Sequence, residues 1–182
     1  MATVRTAVDE DIAAMEALIR RSGIDLSAGF YTPEQARAVT DHVFGVDTQL
    51  VKDQTYFVVE DQGTMVACGG WSKRSTLFGA DRMKQEADPL LDPACEPARI
   101  RAFFVDPAAA RRGYGRLLLT YCTEAAAAGG FTTLELAATM PGVPLYLACG
   151  FEEVERIDIT LPGPALLPIQ VPLVRMRKLI RE

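Results

Sequence analysis

The chain has 182 residues, 49% hydrophobic and 24% charged, which suits one domain with its own core and is too apolar for disorder. Nineteen Lys and Arg against 24 Asp and Glu leave a net charge of −5, which argues against nucleic acid as the main partner. No run approaches ~20 apolar residues, and Met1-Ala2-Thr3 leads straight into Arg5 and Asp9, so neither a membrane span nor a cleaved signal peptide is expected and the protein reads as cytoplasmic.

Thr3–Val8 alternates and suits an opening strand. Asp9 offers a helix N-cap, and Ile12, Met15, Leu18 and Ile19 follow at helical spacing until Ser22-Gly23. Thr32-Pro33 starts a second helix, running to Phe44-Gly45, with His42 on its edge as a structural residue. Tyr56–Glu60 and Thr64–Trp71 form a hairpin across Asp61-Gln62-Gly63, loosened near its end by Gly69-Gly70. Thr76–Pro97 holds three of the eleven prolines and no sustained period, so it reads as a long excursion able to wall a substrate site.

Ala98–Val105 is a strand closed by Asp106-Pro107. Gly115–Ala128 is a helix stopped by Gly129-Gly130, Thr132–Ala138 a strand, and Pro141–Ala148 a short helix. A further strand follows Gly150-Phe151, and Ile169–Leu179 is the last, after Pro162-Gly163-Pro164. Hairpins first and alternating strands and helices later, with no linker, predict one mixed α/β sheet covered by helices in a single domain, residues 1–182. Cys68, Cys95, Cys122 and Cys149 lie far apart from one another and from His42, so no metal site is expected and the thiols read as free and buried or semi-buried.

The informative stretch runs from Phe103 to Leu119. A buried strand ends, a loop carries Gly113 and Gly115, and a helix begins at once, exposing main-chain N–H groups at the positive end of a helix. Between Arg99 and Arg116 there are five arginines and one acid, Asp106, a local reversal that suits a bound polyanion. No Gly-Lys-Ser/Thr follows, and position 118 is Leu, so neither a Walker loop nor a dinucleotide fingerprint fits.

Ala110-Arg111-Arg112-Gly113-Tyr114-Gly115 resembles the acetyl-CoA loop of the GNAT superfamily of N-acetyltransferases, Gln/Arg-x-x-Gly-x-Gly/Ala, with Ala110 in place of the first residue. A second block, Leu134–Thr139 followed by Pro144–Phe151, resembles the family's later strand, short Leu-Tyr helix and Gly-Phe turn, about thirty residues on as the intervening helix and strand require. The resemblance implies a mostly antiparallel twisted sheet of six to seven strands, flanked by helices and splayed at its central strands. It implies acetyl-CoA as cosubstrate, held by the backbone of Phe103, Phe104 and Val105 and by Arg111, Arg112, Gly113, Tyr114, Gly115 and Arg116. Thr139 replaces a frequent Asn, and Tyr146 falls where the family places a general acid for the departing thiolate.

For the base, the central strand offers no acid; Glu60, Glu135 or a water path remain as candidates. Trp71 and Arg74, with Lys73 between them, are candidates for the acceptor side, an aromatic wall and a cation for a carboxylate or phosphate. The implied reaction is direct acetyl transfer to the amine of a small molecule or peptide through a ternary complex, in a protein able to form a homodimer. The alternatives are a non-catalytic acyl-CoA-binding sensor module of the same fold and an enzyme with another phosphate-bearing ligand.

Overall fold

The computed structural model describes residues 1–84 and 88–180; of the Thr76–Pro97 excursion, 85–87 lie outside the described residues. The strands are β1 (Thr3–Thr6), β2 (Tyr56–Asp61), β3 (Thr64–Ser72), β4 (Ala98–Val105), β5 (Thr133–Thr139), β6 (Glu152–Pro162) and β7 (Pro168–Leu179). They form one sheet in the order β1-β2-β3-β4-β5-β7-β6. Every pairing is antiparallel except β4 with β5. That parallel pairing has only two rungs, Ala98–Leu134 and Arg99–Glu135, and beyond them the two strands part. The expected splay thus lies in the middle of the sheet.

The helices are α1 (Ile12–Asp25), α2 (Pro33–His42), α3 (Thr48–Lys52), α4 (Tyr114–Ala128) and α5 (Val143–Ala148). The Thr32 hydroxyl caps α2 by accepting from Gln35 N–H at 3.2 Å, while the Gln35 side-chain Oε1 accepts from Thr32 N–H at 3.0 Å, a reciprocal box. Leu118, Leu119, Cys122 and Ala126 turn the buried face of α4 onto Phe57, Ala67, Leu134 and Leu136 of the sheet. Met15, Leu18 and Ile19 of α1 pack with Tyr56, Val58 and Cys68 in a second cluster.

Three expectations are corrected. Gly23 does not stop α1, because a side chain there would meet Thr40 Oγ1 at 2.6 Å; it is the point of close approach to the next helix. The five-residue α3 is too short to show a period and escaped the pattern, its start marked only by the Asp47 carboxylate accepting from Gln49 N–H at 3.1 Å. Among the thiols, Cys68 and Cys122 are buried and Cys149 partly so, but Cys95 is exposed, its Sγ 3.5 Å from the Asp92 carboxylate.

Candidate functional site

Where β4 leaves β5 it also leaves regular geometry. Cys68 pairs with Phe104 and Gly70 with Arg101, so Ala102 and Phe103 together oppose Gly69 in a β-bulge. Ala102 takes φ 53°, a left-handed conformation rare for a residue with a side chain. Two neighbours hold it. The buried Tyr56 hydroxyl donates to the Ala102 carbonyl at 3.2 Å. The Phe103 ring lies over Gly69, where an added Cβ would come within 2.5 Å of it. Gly69 therefore does not loosen β3 but makes room for the bulge opposite, while Gly70 allows the close approach of the Thr55 carbonyl on the other side.

The loop after β4 is fastened at both ends. Asp106 accepts from Ala108 N–H at 2.9 Å and from Arg21 of α1 at 2.6 Å, and the Arg21 guanidinium holds its carboxyl below the usual range. Tyr114 donates to Asp61, in the β2–β3 hairpin, at 2.6 Å. Arg111 and Gly113 both have positive φ, 65° and 88°. The first main-chain bond into α4 is Leu117 N–H to Gly113 O at 2.9 Å, which leaves the earlier N–H groups of the first turn without a helical acceptor. At Gly115 a side chain would press on Leu145 of α5 at 3.0 Å.

Between these parts lies a cavity of about 600 Å³. It gathers Phe103, Phe104, Val105, Arg111, Gly113, Tyr114, Gly115, Arg116, Thr139 and Tyr146 of the expected set, and Ala110 as well. Arg112 does not line it. The opposite wall was not foreseen: it is the end of α1 and the following turn (Ser22, Leu26, Phe30) with Phe44. Nothing in the sequence flagged these residues, because they reach the site only through the packing of α1 on the sheet. Tyr31 anchors that turn, donating to the Pro172 carbonyl at 2.6 Å and accepting from Met140 N–H at 3.1 Å; burial pushes its phenol up to about 12.

Tyr146, on α5, is buried between Phe103 and Phe151, with ring centroids 6.4 and 5.6 Å away. Burial pushes its phenol well above the ordinary tyrosine value, so it keeps its proton throughout the neutral range.

The remaining candidates lie elsewhere. Glu60, at the far end of β2, pairs with Arg5 at 2.7 Å. Glu135 is buried and held by Arg99 at 2.5 Å and by Arg177 at 2.6 Å, one oxygen to each arginine. Trp71 is buried edge-on against Phe131. Arg74 lies against Asp53 at 2.7 Å and donates to the Asp88 carbonyl at 3.2 Å. None of these four lines the cavity.

Comparison with known proteins adds the following. The sequence model of the acetyltransferase (GNAT) domain matches residues 52–153. No curated protein matches the sequence significantly. A GCN5-related N-acetyltransferase from Rhodopseudomonas palustris superposes with a TM-score of 0.70 at 18% identity, covering 99% of this chain and 96% of that one. The PaiA N-acetyltransferase of Thermoplasma acidophilum, solved with coenzyme A, gives 0.64 at 12% identity over 99% of both chains. YncA of Salmonella typhimurium, solved with its cofactor acetyl-CoA, gives 0.62 at 16%, over 100% of this chain and 95% of that one. At such identities the likeness establishes the fold.

Proposed function

Because this chain belongs to the acetyltransferase (GNAT) domain family, we propose that it is an N-acetyltransferase that uses acetyl-CoA and passes the acetyl group directly to a primary amine. The observation that carries this reading is the short parallel pairing of β4 with β5. It opens a continuous cavity from the Gly113 loop to Tyr146 and leaves the β4 edge beyond Arg99 without a partner strand.

The residues present suit the cosubstrate. The N–H groups of Gly113–Arg116 would receive the diphosphate, with Arg111 and Arg116 adding charge beside it. The edge of Phe103, Phe104 and Val105 would pair with an amide-bearing arm as an added strand does. Acetyl-CoA supplies, when bound, an acetyl group activated as a thioester. Tyr146 holds a proton at Oη for the departing sulfur. The amine nitrogen forms the new C–N bond as the C–S bond breaks, and its surplus proton leaves to water. Among the described residues no carboxylate or imidazole lines the cavity.

That last feature also favours a second reading, a module that binds acyl-CoA without turnover. Calorimetric titration with acetyl-CoA, followed by thiol release over a panel of amines with Tyr146→Phe beside the native protein, separates the two. Heat with Tyr146-dependent thiol release supports the enzyme. Heat without release on any amine supports the module, and no heat overturns both.

A further inference from the structure

Beyond the bulge the cleft narrows into a second chamber of about 100 Å³, which shares Phe44, Phe103, Phe104, Thr139, Gly142 and Tyr146 with the larger cavity. Apart from Arg101, its other side-chain walls are apolar, among them Val43 after α2, Leu77 and Phe78 of the excursion, Leu136 of β5 and Leu173 of β7. The excursion is moored in this position by charge. The buried Arg101 of β4 donates to the carbonyls of Thr76 at 2.9 Å and Gly79 at 2.5 Å, and its guanidinium lies 3.0 Å from Asp47. Asp47 in turn lies 2.5 Å from Lys84, which lies 3.8 Å from Asp88.

The ionisable side chains that reach the chamber from the described residues are therefore two, Arg101 from β4 and Tyr146 from α5. The acids beside this cluster, Asp47 and Asp88, do not line the chamber and are paired with Arg101 and Lys84. An ammonium ion entering here would lose its water against apolar walls, with a guanidinium as the nearest charge and no anion opposite. A neutral amine meets no such penalty. A carboxylate on the acceptor would find the Arg101 charge already matched by Asp47 at 3.0 Å and two of its N–H donors taken by the Thr76 and Gly79 carbonyls.

Resting on the acetyltransferase reading, we infer that the acceptor is a compact primary amine of low basicity on an uncharged, apolar body, as an amidated apolar amino acid presents. The preference follows from populations. At pH 7 an α-amine with a pKa near 8 is about one-tenth neutral, whereas an alkylamine near 10.4 is less than roughly one-thousandth neutral, a difference on the order of a hundredfold.

Four primary amines test this: valinamide, valine, isobutylamine and lysinamide. With the native protein and saturating acetyl-CoA, thiol release at pH 7 is expected to give valinamide a kcat/KM at least about tenfold above each of the other three. With isobutylamine, kcat/KM is expected to rise about tenfold per pH unit towards the amine's own pKa. Phe78→Ala, which enlarges the chamber, is expected to favour phenylalaninamide over valinamide while leaving the calorimetric Kd for acetyl-CoA unchanged. Valine or lysinamide as the best acceptor overturns the inference. So does a pH profile that ignores the amine's pKa, or acetyl-CoA binding without acetylation of valinamide. Only failure to bind acetyl-CoA bears on the underlying function as well.

Discussion

The two ends of the β4–β5 seam are built from opposite materials. At the closed end, Arg99 and Glu135 sit on the last shared rung, and Arg177 from β7 completes a triad across three strands. At the open end, one residue pair further on, the ladder has gone, most of the walls are aromatic and aliphatic, and the groups facing the cavity include main-chain N–H donors, Arg111, Arg116 and the Tyr146 phenol. An ion-paired triad fastens the splay, and in the proposed reaction main-chain donors and a neutral phenol act at the thioester. A carboxylate inside the central strands thus reads as a catalytic base in sequence and serves as a clasp in the fold.

The largest expected effect comes from breaking the clasp. Glu135→Ala leaves Arg99 largely buried without its counter-charge and is expected to cost about 3 kcal/mol, lowering Tm by roughly 6–12 °C in thermal melting. On the open side, Tyr146→Phe is expected to reduce kcat by about a hundredfold or more, with Tm and the acetyl-CoA Kd nearly unchanged. Its raised phenol value fixes a sign as well. In the proposed reaction the proton-bearing form is the active one, so loss of this acid is expected to lower native kcat only above pH 10, the ordinary tyrosine value, and a fall at pH 8–9 would contradict the assignment.

A smaller effect is expected at Gly113, where an added Cβ meets nothing and the penalty is purely conformational. Gly113→Ala places an alanine at φ 88°, worth about 1–2 kcal/mol, and is expected to weaken acetyl-CoA binding about tenfold by calorimetry as the loop relaxes. The smallest effect concerns the ion pairs outside the seam. Arg5, Arg74 and Arg21 hold the carboxyls of Asp11, Asp53 and Asp106 below the ordinary value of 3.8. Their folded-state values are depressed, so the stability they contribute is complete above about pH 5 and is lost as pH falls through those depressed values. Tm is expected to be flat from pH 7 to about 5 and to fall below about 4.

Much of the site was legible because it is local. Ala98–Val105 reads as a strand because an apolar run meets Asp106-Pro107, and its bounds agree with the structure. The Gly113 loop reads as an anion site because glycine and a helix start lie side by side. What escaped depends on distance along the chain. The bulge at Ala102 has no mark of its own; the only trace is Gly69-Gly70 on the strand opposite, which has meaning only once the register is known. Arg74 looked free for an acceptor because Asp53, its partner, lies 21 positions away. Phe44 and Phe78 reach the chamber from separate segments, and no spacing rule joins them.

The most direct test of main-chain capture at the open end is amide hydrogen exchange with and without saturating acetyl-CoA. Slower exchange confined to peptides spanning Phe103–Val105 and Arg111–Leu117, with the Glu135 region unchanged, is the predicted result. Bound coenzyme with no protection in either segment would contradict it.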